Sequence, residues 1–479
     1  MPNLETSDIQ GLLFSGYSKN ASACYLLLRI TDAARARAWL GKIAGTLTTG
    51  ERGSYDTTMN VALTARGLSA IGLPDSALST FALEFREGMS GSDHRSRILG
   101  DTGQSAPSQW VWGSAARAPI HVMLMLYARD DGALQRFLTE RRAEYAGAVE
   151  EVYRRDTVTL PERREHFGFA DGIAQPAIEG SRRAKPDAVK AGELLLGYPN
   201  EYDKLALSPS APASLDRERH LHPVVDAAGT AARDLGRNGT YLVVRQLDQH
   251  VEAFWQAMQE YSASSGVPNR DDAIRLAAKC VGRWPSGAPL VLSPDRDERS
   301  KAKSNDFKYH DADPHGLSCP IGSHIRRTNP RDSLEPGPDE SLQVVNRHRI
   351  LRRGRSYGPM LEPFAHEPTP VERGLFFICV NANIRRQFEF IQQTWSNNPK
   401  FDGLYEDKDP LIGDQPDQGG VFTIPEKPVR RRLRELERFV QVRGGEYFFL
   451  PGIRTLRFLA ALEPVAVSSV AANGAAAFI

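Results

Sequence analysis

Cysteine is scarce in this chain of 479 residues. The 4 present, Cys24, Cys280, Cys319 and Cys379, form no Cys-x-x-Cys pair, which excludes a disulfide framework and a thiolate zinc site and fits a reducing compartment. Long apolar runs are missing as well. The longest have strand length, such as Val122 to Tyr127, far below the ~20 residues of a membrane span. Charge of one sign is not in excess: 60 Lys and Arg against 59 Asp and Glu leave +1, so no global field draws the chain to nucleic acid or an anionic membrane. No GxSxG elbow, Walker loop or GxGxxG after a strand occurs, which removes the commonest hydrolase, NTPase and Rossmann readings. The 11 histidines include no HExxH spacing, so a metal cage built by protein side chains alone is disfavoured. The segment Met1 to Asp8 has neither a basic region followed by an apolar one nor a twin-arginine pair, and the expectation is a cytoplasmic protein.

What is present is ordinary globular material, with 41% hydrophobic and 25% charged residues. The length allows about three domains of ~150 residues, or two large ones. One pattern recurs four times: a short apolar strand, a turn, then a helix with one apolar face. Cys24 to Ile30 precedes Ala36, Trp39, Leu40 and Ile43 at helical spacing. Val122 to Ala128 precedes Leu134, Phe137 and Leu138; Thr240 to Val244 precedes Val251, Phe254, Trp255 and Met258; Leu375 to Val380 precedes Ile384, Phe388, Ile391 and Trp395. Two such units with further strands between them make a split βαβ, the ferredoxin-like arrangement. Four imply an α+β fold of two ferredoxin-like halves with antiparallel sheets, of the dimeric α+β barrel type.

The expected divisions are residues 1–183, a connection or insertion over 184–239 rich in Ala, Pro, Ser and charge, and residues 240–479. A second irregular, polar region is expected from about Ser286 to Arg373. Gly444-Gly445 predicts a tight bend between strands Phe439 to Val442 and Tyr447 to Leu450, and Arg430 to Arg438 reads as a solvated helix in which Glu435 and Glu437 break the positive run. The Ala-rich tail receives no assignment.

Three segments could carry chemistry. In Phe167-Gly168-Phe169-Ala170-Asp171-Gly172-Ile173, glycines allow close backbone approach to a flat ligand, and an apolar setting would raise the Asp171 carboxyl towards a value useful for proton transfer. The plainer reading is an Asp stabilising its own turn. In Cys319 to Arg331, His324 is followed by Arg326, Arg327 and Arg331, a set that suits a metal held by imidazole inside an anionic organic ligand. The third, His348 to Pro359, places Arg352 after two apolar residues, where a buried guanidinium could stabilise oxyanion charge. A nucleic-acid module using the Arg326 to Arg355 stretch is the competing reading, unsupported by the rest of the chain.

Together these residues resemble the dye-decolorizing peroxidase family. Gly168-Phe169-Ala170-Asp171-Gly172 fits its GxxDG motif, and Cys319-Pro320 through His324 to Asn329-Pro330-Arg331 is similar to its haem-ligand segment. The resemblance extends from Asp8-Ile9-Gln10-Gly11 through Arg66-Gly67-Leu68 and Gly88-Met89 to Arg443-Gly444-Gly445-Glu446-Tyr447-Phe448-Phe449 and is closest to the larger cytoplasmic subgroup. It implies haem b (iron protoporphyrin IX) as cofactor, held in the C-terminal half with His324 as the iron ligand and Arg331 on a propionate. It places Asp171 and Arg352 on the opposite, distal face, Gly172 and Ile173 against the haem, and Leu375 and Phe377 as apolar distal wall. Asp409 resembles the carboxylate partner of the ligand imidazole, with Asp402, Asp407 and Asp414 as near alternatives. The implied activity is reduction of hydrogen peroxide with oxidation of aromatic donors such as dyes and phenols; a non-enzymatic haem carrier is the alternative. No nucleic-acid or membrane partner is expected, and the sequence assigns no oligomeric state.

Overall fold

The computed structural model describes residues 3–51, 55–182, 188–225, 229, 231–263, 269–366, 370–416 and 419–463. In the first half, Ser22–Ile30 (β1), Thr57–Leu63 (β2), Val122–Ala128 (β3) and Val149–Val158 (β4) pair antiparallel in the order β4-β1-β3-β2. Ala33–Ala44 (α1) follows β1 and Asp131–Tyr145 (α2) follows β3, which is the ferredoxin-like order. Each helix starts where an aspartate can cap it: Asp32 accepts from the Arg35 N–H and Asp130 from the Ala133 N–H.

The second half repeats the order with a different filling. Thr240–Gln249 (β5), Leu351–Arg352 (β6), Arg355–Tyr357 (β7), Gly374–Asn381 (β8) and Val440–Leu450 (β9) are its strands, and β9-β5-β8-β6 is the same succession. Val251–Ser262 (α3) follows β5, and Arg270–Val281 (α4) packs beside it. The segment after β8 is wound mostly as a π-helix, over Arg385–Glu389 and Ile391–Ser396, where helical spacing alone predicts an ordinary α-helix. The halves join at Phe449 of β9 beside Leu63 of β2. On the other side β7 pairs with both β4 and β8, so the sheet closes into a barrel.

Alternation along the strands divides the core. Tyr25, Leu27, Met125, Tyr127, Leu242, Val244, Phe376 and Phe448 fill the barrel interior, where Tyr25 meets Phe376 from the opposite half at 4.9 Å between ring centroids. Cys24, Leu26, Leu28, Leu124 and Leu126 face outward and are covered by Trp39, Leu40, Leu134 and Leu138 of α1 and α2.

Several expectations need correction. Gly444 and Gly445 lie inside the single strand β9, at a bulge between Val442 and Gly444. They are small because of close approach: a Cβ on Gly444 would stand 2.5 Å from the Trp112 indole, and one on Gly445 2.4 Å from the Met89 sulfur. The Arg-rich segment is a strand, Arg431–Leu436, hairpinned onto Gly420–Ile424, since its buried Leu433 and Leu436 pack under the sheet side rather than on a helix face. The stretch read as a connection holds a three-stranded sheet, Ser210–Pro212, His222–Val225 and Ala231–Asp234, and sends Leu194 and Leu195 into the main core. Parts of that stretch, and the Ala-rich tail from 464, lie outside the described residues.

Gln246 is a polar group inside the barrel, and its Oε1 accepts from Trp112 Nε1 at 2.9 Å and from the Tyr153 hydroxyl at 2.7 Å. Gln246→Ala strips both donors of this acceptor and should lower stability by about 1–3 kcal/mol. Equilibrium unfolding in urea reads the change, and an unshifted midpoint would show that these bonds contribute nothing net.

Candidate active site

A cavity of about 1450 Å³ lies against the outward face of the second half. Arg245, Leu247 and Gln249 of β5 and Leu375 and Phe377 of β8 line it, alternating with the inward Val244, Gln246, Phe376 and Ile378. Period-two geometry therefore places the two expected wall residues, Leu375 and Phe377, on one surface.

His324 enters this cavity from the short helix His324–Thr328. Its Nδ1 and Asp409 Oδ2 are 2.9 Å apart, and the Asp409 side chain is fully buried while that of His324 is 20% exposed. Asp409 Oδ1 accepts from the Leu411 and Ile412 N–H groups at 2.9 and 3.0 Å. Burial alone would push Asp409 up, but the facing imidazole and these N–H groups hold it below the usual carboxylate range. Burial opposes protonation of His324, and the Asp409 charge outweighs it, holding the imidazole above its ordinary value. Of the alternatives, Asp407 is occupied by Thr423 and Asp414 by Lys408 at 2.8 Å.

The arginines around His324 divide. Arg326 and Arg327, expected to pair with an anionic ligand, are fully buried and point away from the cavity, so their charges serve the protein's own backbone. Arg326 donates to the carbonyls of Asp313 and Cys319 at 2.9 and 3.1 Å, and Arg327 to those of Trp395, Asn398 and Asp407. These bonds tie the His324 helix to its neighbours. Arg331 alone of the three lines the cavity, with Nη1 on the carbonyls of Asn305 and Phe307 and its guanidinium 3.8 Å from the Phe307 ring centre.

Asp171 and Arg352 line the same cavity, and His324 feels the charge of both. Arg352 Nη2 donates to Asp171 Oδ1 at 3.0 Å, and the Gly172 N–H donates to the same oxygen at 2.6 Å. The apolar setting expected for Asp171 and the burial expected for Arg352 are not found: their side chains are 44% and 32% exposed, because both point into the cavity instead of the core. Arg352 is held from behind, where its N–H donates to Gln175 Oε1 at 2.9 Å. Gly172 has a φ of 79° and nothing within 4 Å of where a Cβ would stand, and Ile173 follows it along the wall. Gln175, Gln249 and Glu165 also line the cavity, and sequence reading passed over all three. The signal for Glu165 was a second carboxylate six residues before Asp171 in a glycine-rich turn.

The donor set suits a metal brought in by an organic ligand. Among the described residues no group of three or more His, Cys, Asp and Glu could hold a metal ion. His324 offers one ring nitrogen, since its Nδ1 is engaged by Asp409 and its Nε2 has no hydrogen bond among the described residues. Asn329 Oδ1, in the wall beside it, is buried without a partner. One imidazole, a cationic flank at Arg331 and a large cavity with apolar faces fit a haem group.

No protein-family model matches the chain. A dye-decolorizing peroxidase of Mycena epipterygia is 30% identical over 503 aligned residues, covering 96% of this chain and 87% of its own. A multifunctional dye peroxidase of an Amycolatopsis species is 29% identical over 466 residues, covering 91% of each chain. The crystal structure of a fungal DyP-type peroxidase from Auricularia auricula-judae superposes with a TM-score of 0.76 at 25% identity, over 96% of this chain and 100% of that one. With a relative this similar along nearly its full length, and a barrel that agrees with a solved member, the chain belongs to the dye-decolorizing peroxidase family.

Proposed function

We propose that this chain is a haem peroxidase that reduces hydrogen peroxide and oxidises aromatic donors such as dyes and phenols, with haem b as its cofactor. The observation that carries the proposal is the opposition, across one cavity, of an imidazole backed by a buried carboxylate and an Asp171–Arg352 pair. A haem carrier has use for the first and none for the second.

When bound, haem supplies the iron that activates peroxide and the redox capacity that protein side chains lack. His324 would be its ligand, Arg331 would flank a propionate, and Gly172, Ile173, Leu375 and Phe377 would close around it. Asp171 is placed to move the peroxide proton. Its Oδ1 already accepts two hydrogen bonds, whereas Oδ2 has no partner among the described residues, so Oδ2 is the atom that takes the proton from one peroxide oxygen and returns it to the other. The outer oxygen then leaves as water. Arg352 is permanently charged and cannot relay a proton at ordinary pH; it stabilises the negative charge that accumulates as the O–O bond breaks.

All 4 cysteines are buried and free, which supports a reducing, cytoplasmic setting. No helix among the described residues is long and apolar enough to cross a membrane.

Three outcomes test this reading. His324→Ala should largely abolish stable haem incorporation or change its axial ligation, and Arg331→Ala should weaken retention more gently; a wild-type haem spectrum in the first variant excludes His324 as the ligand. Asp409→Asn should raise the ferric/ferrous potential with haem still bound, because the carboxylate gives the imidazole anionic character. Potentiometry that returns the wild-type value in a folded variant removes Asp409 from that role. Asp171→Asn and Arg352→Leu, checked for haem occupancy, should each slow the peroxide-induced change in haem absorbance, by about 10²–10⁴-fold for lost proton transfer and about 10²–10³-fold for lost charge stabilisation. Wild-type rates in both across the pH range would leave only the carrier.

A further inference from the structure

Glu165 lines the cavity that holds Asp171 and has no part in the chemistry above. It opens a tight chain reversal. Its N–H donates to the Phe169 carbonyl at 2.9 Å, the Gly168 N–H returns to the Glu165 carbonyl at 2.9 Å, and the Asp171 N–H reaches the Arg163 carbonyl at 3.0 Å. Gly168 turns the chain at a φ of 93°, a conformation that side-chain-bearing residues rarely adopt.

Two N–H groups of this reversal converge on the Glu165 carboxylate: Phe167 N donates to Oε2 at 2.9 Å and Phe169 N to Oε1 at 3.0 Å. A third donor arrives from the sheet, Gln249 Nε2 of β5, at 2.7 Å from Oε2. The rings of Phe167 and Phe169 anchor the same turn on α3, with centroids 4.5 Å from Phe254 and 6.3 Å from Trp255. Burial pushes the Glu165 carboxyl up to about 7 against the pull of these three donors, so its charge is sensitive to losing any one of them. An amide in its place has one acceptor oxygen and would turn an NH₂ towards a donor.

We propose that Glu165 is a positioning residue for the distal wall: by gathering the N–H groups of Phe167 and Phe169 and the amide of Gln249, its carboxylate fixes the reversal that carries Asp171 to Arg352. The proposal rests on the reading of Asp171 as proton carrier, and Glu165 itself touches neither Asp171's partner nor the reacting oxygens.

The test compares haem-loaded wild type, Glu165→Gln, Asp171→Asn and the double variant by amide hydrogen exchange across residues 163–172, by the rate of the peroxide-induced absorbance change, and by the donor KM. In Glu165→Gln, exchange at Phe167 and Phe169 should accelerate and the peroxide rate fall, each by about tenfold or more, the loss expected for one hydrogen bond to a charged group. Donor KM should hold. In the Asp171→Asn background the same substitution should cost no further rate, because it acts through Asp171. Unchanged exchange and rate in Glu165→Gln overturn the proposal, as does a full additional loss in the Asp171→Asn background. A wild-type peroxide rate in Asp171→Asn instead overturns the reading beneath it, and the two failures are therefore separable. Gln249→Ala removes one donor and keeps the carboxylate. It should give a smaller loss of the same kind, and wild-type exchange and rate there overturn the proposal even if Glu165→Gln does not fold.

Discussion

A carboxylate with no exposed surface must be met by donors on every side, because an unpaired buried charge costs several kcal/mol. Asp409 imposes that condition on one whole side of the cavity. Its Oδ2 takes His324, its Oδ1 the N–H groups of Leu411 and Ile412, and its carbonyl the Gly413 N–H and Gln415 Nε2, each at 3.0 Å. Its own N–H donates to the Ser396 carbonyl at the end of the π-wound segment. Gly413 is part of the same requirement, since a Cβ there would stand 2.5 Å from the Asp409 carbonyl oxygen. The loop 409–415, the π-wound segment and the His324 helix thus meet at one anion. Arg327 reinforces the junction from behind, through carbonyls on two of those three elements.

The opposite wall obeys a different constraint. Asp171 is 44% exposed and is held by one guanidinium and one N–H on a single oxygen, leaving the other oxygen free to exchange a proton. The two aspartates are chemically identical, and their surroundings assign them opposite tasks. Asp409 is locked as an anion that orients an imidazole; Asp171 is solvated enough to change its protonation state and its position. Such pairs, pushed apart by environment, are how a site separates structural from acid–base duty.

The fold was legible where periodicity is strong. Cys24 to Ile30, Val122 to Ala128 and Thr240 to Val244 are apolar runs followed by i, i+3, i+4 helices, and each became a strand and its helix. Closure of the barrel was not legible, since β7 has three residues and meets β4 at the single pair Ser356 and Val158. Its segment reads as cationic, and Arg355 hides its charge by donating to the carbonyls of Gly16, Tyr17 and Asn20. The strand Arg431–Leu436 was misread because alternating Arg and Glu suits a solvated helix as well as an edge hairpin. At the site, His324, Asp171 and Arg352 came from motif resemblance, which composition and spacing alone could not have supplied. Arg326 and Arg327 show the limit of reading charge from sequence: only the coordinates reveal that a guanidinium three residues from the ligand faces carbonyls and not the cavity.

Why the duplicated halves differ in use follows from what covers them. The outward face of the first half is sealed by α1 and α2, so it contributes core. The outward face of the second is sealed only in part, and Arg245, Leu247, Gln249, Leu375 and Phe377 remain as a cavity wall. The distal pair nonetheless draws on both halves: Asp171 lies on the chain leaving β4, and Arg352 ends β6, three residues before β7. The one place where β4 and β7 touch, Val158 with Ser356, is therefore the seam that brings Asp171 and Arg352 together. Barrel closure and the 3.0 Å contact between proton carrier and charge stabiliser are then consequences of the same strand, and a change that opens the seam disturbs the distal chemistry while leaving the Asp409 junction on the far side intact.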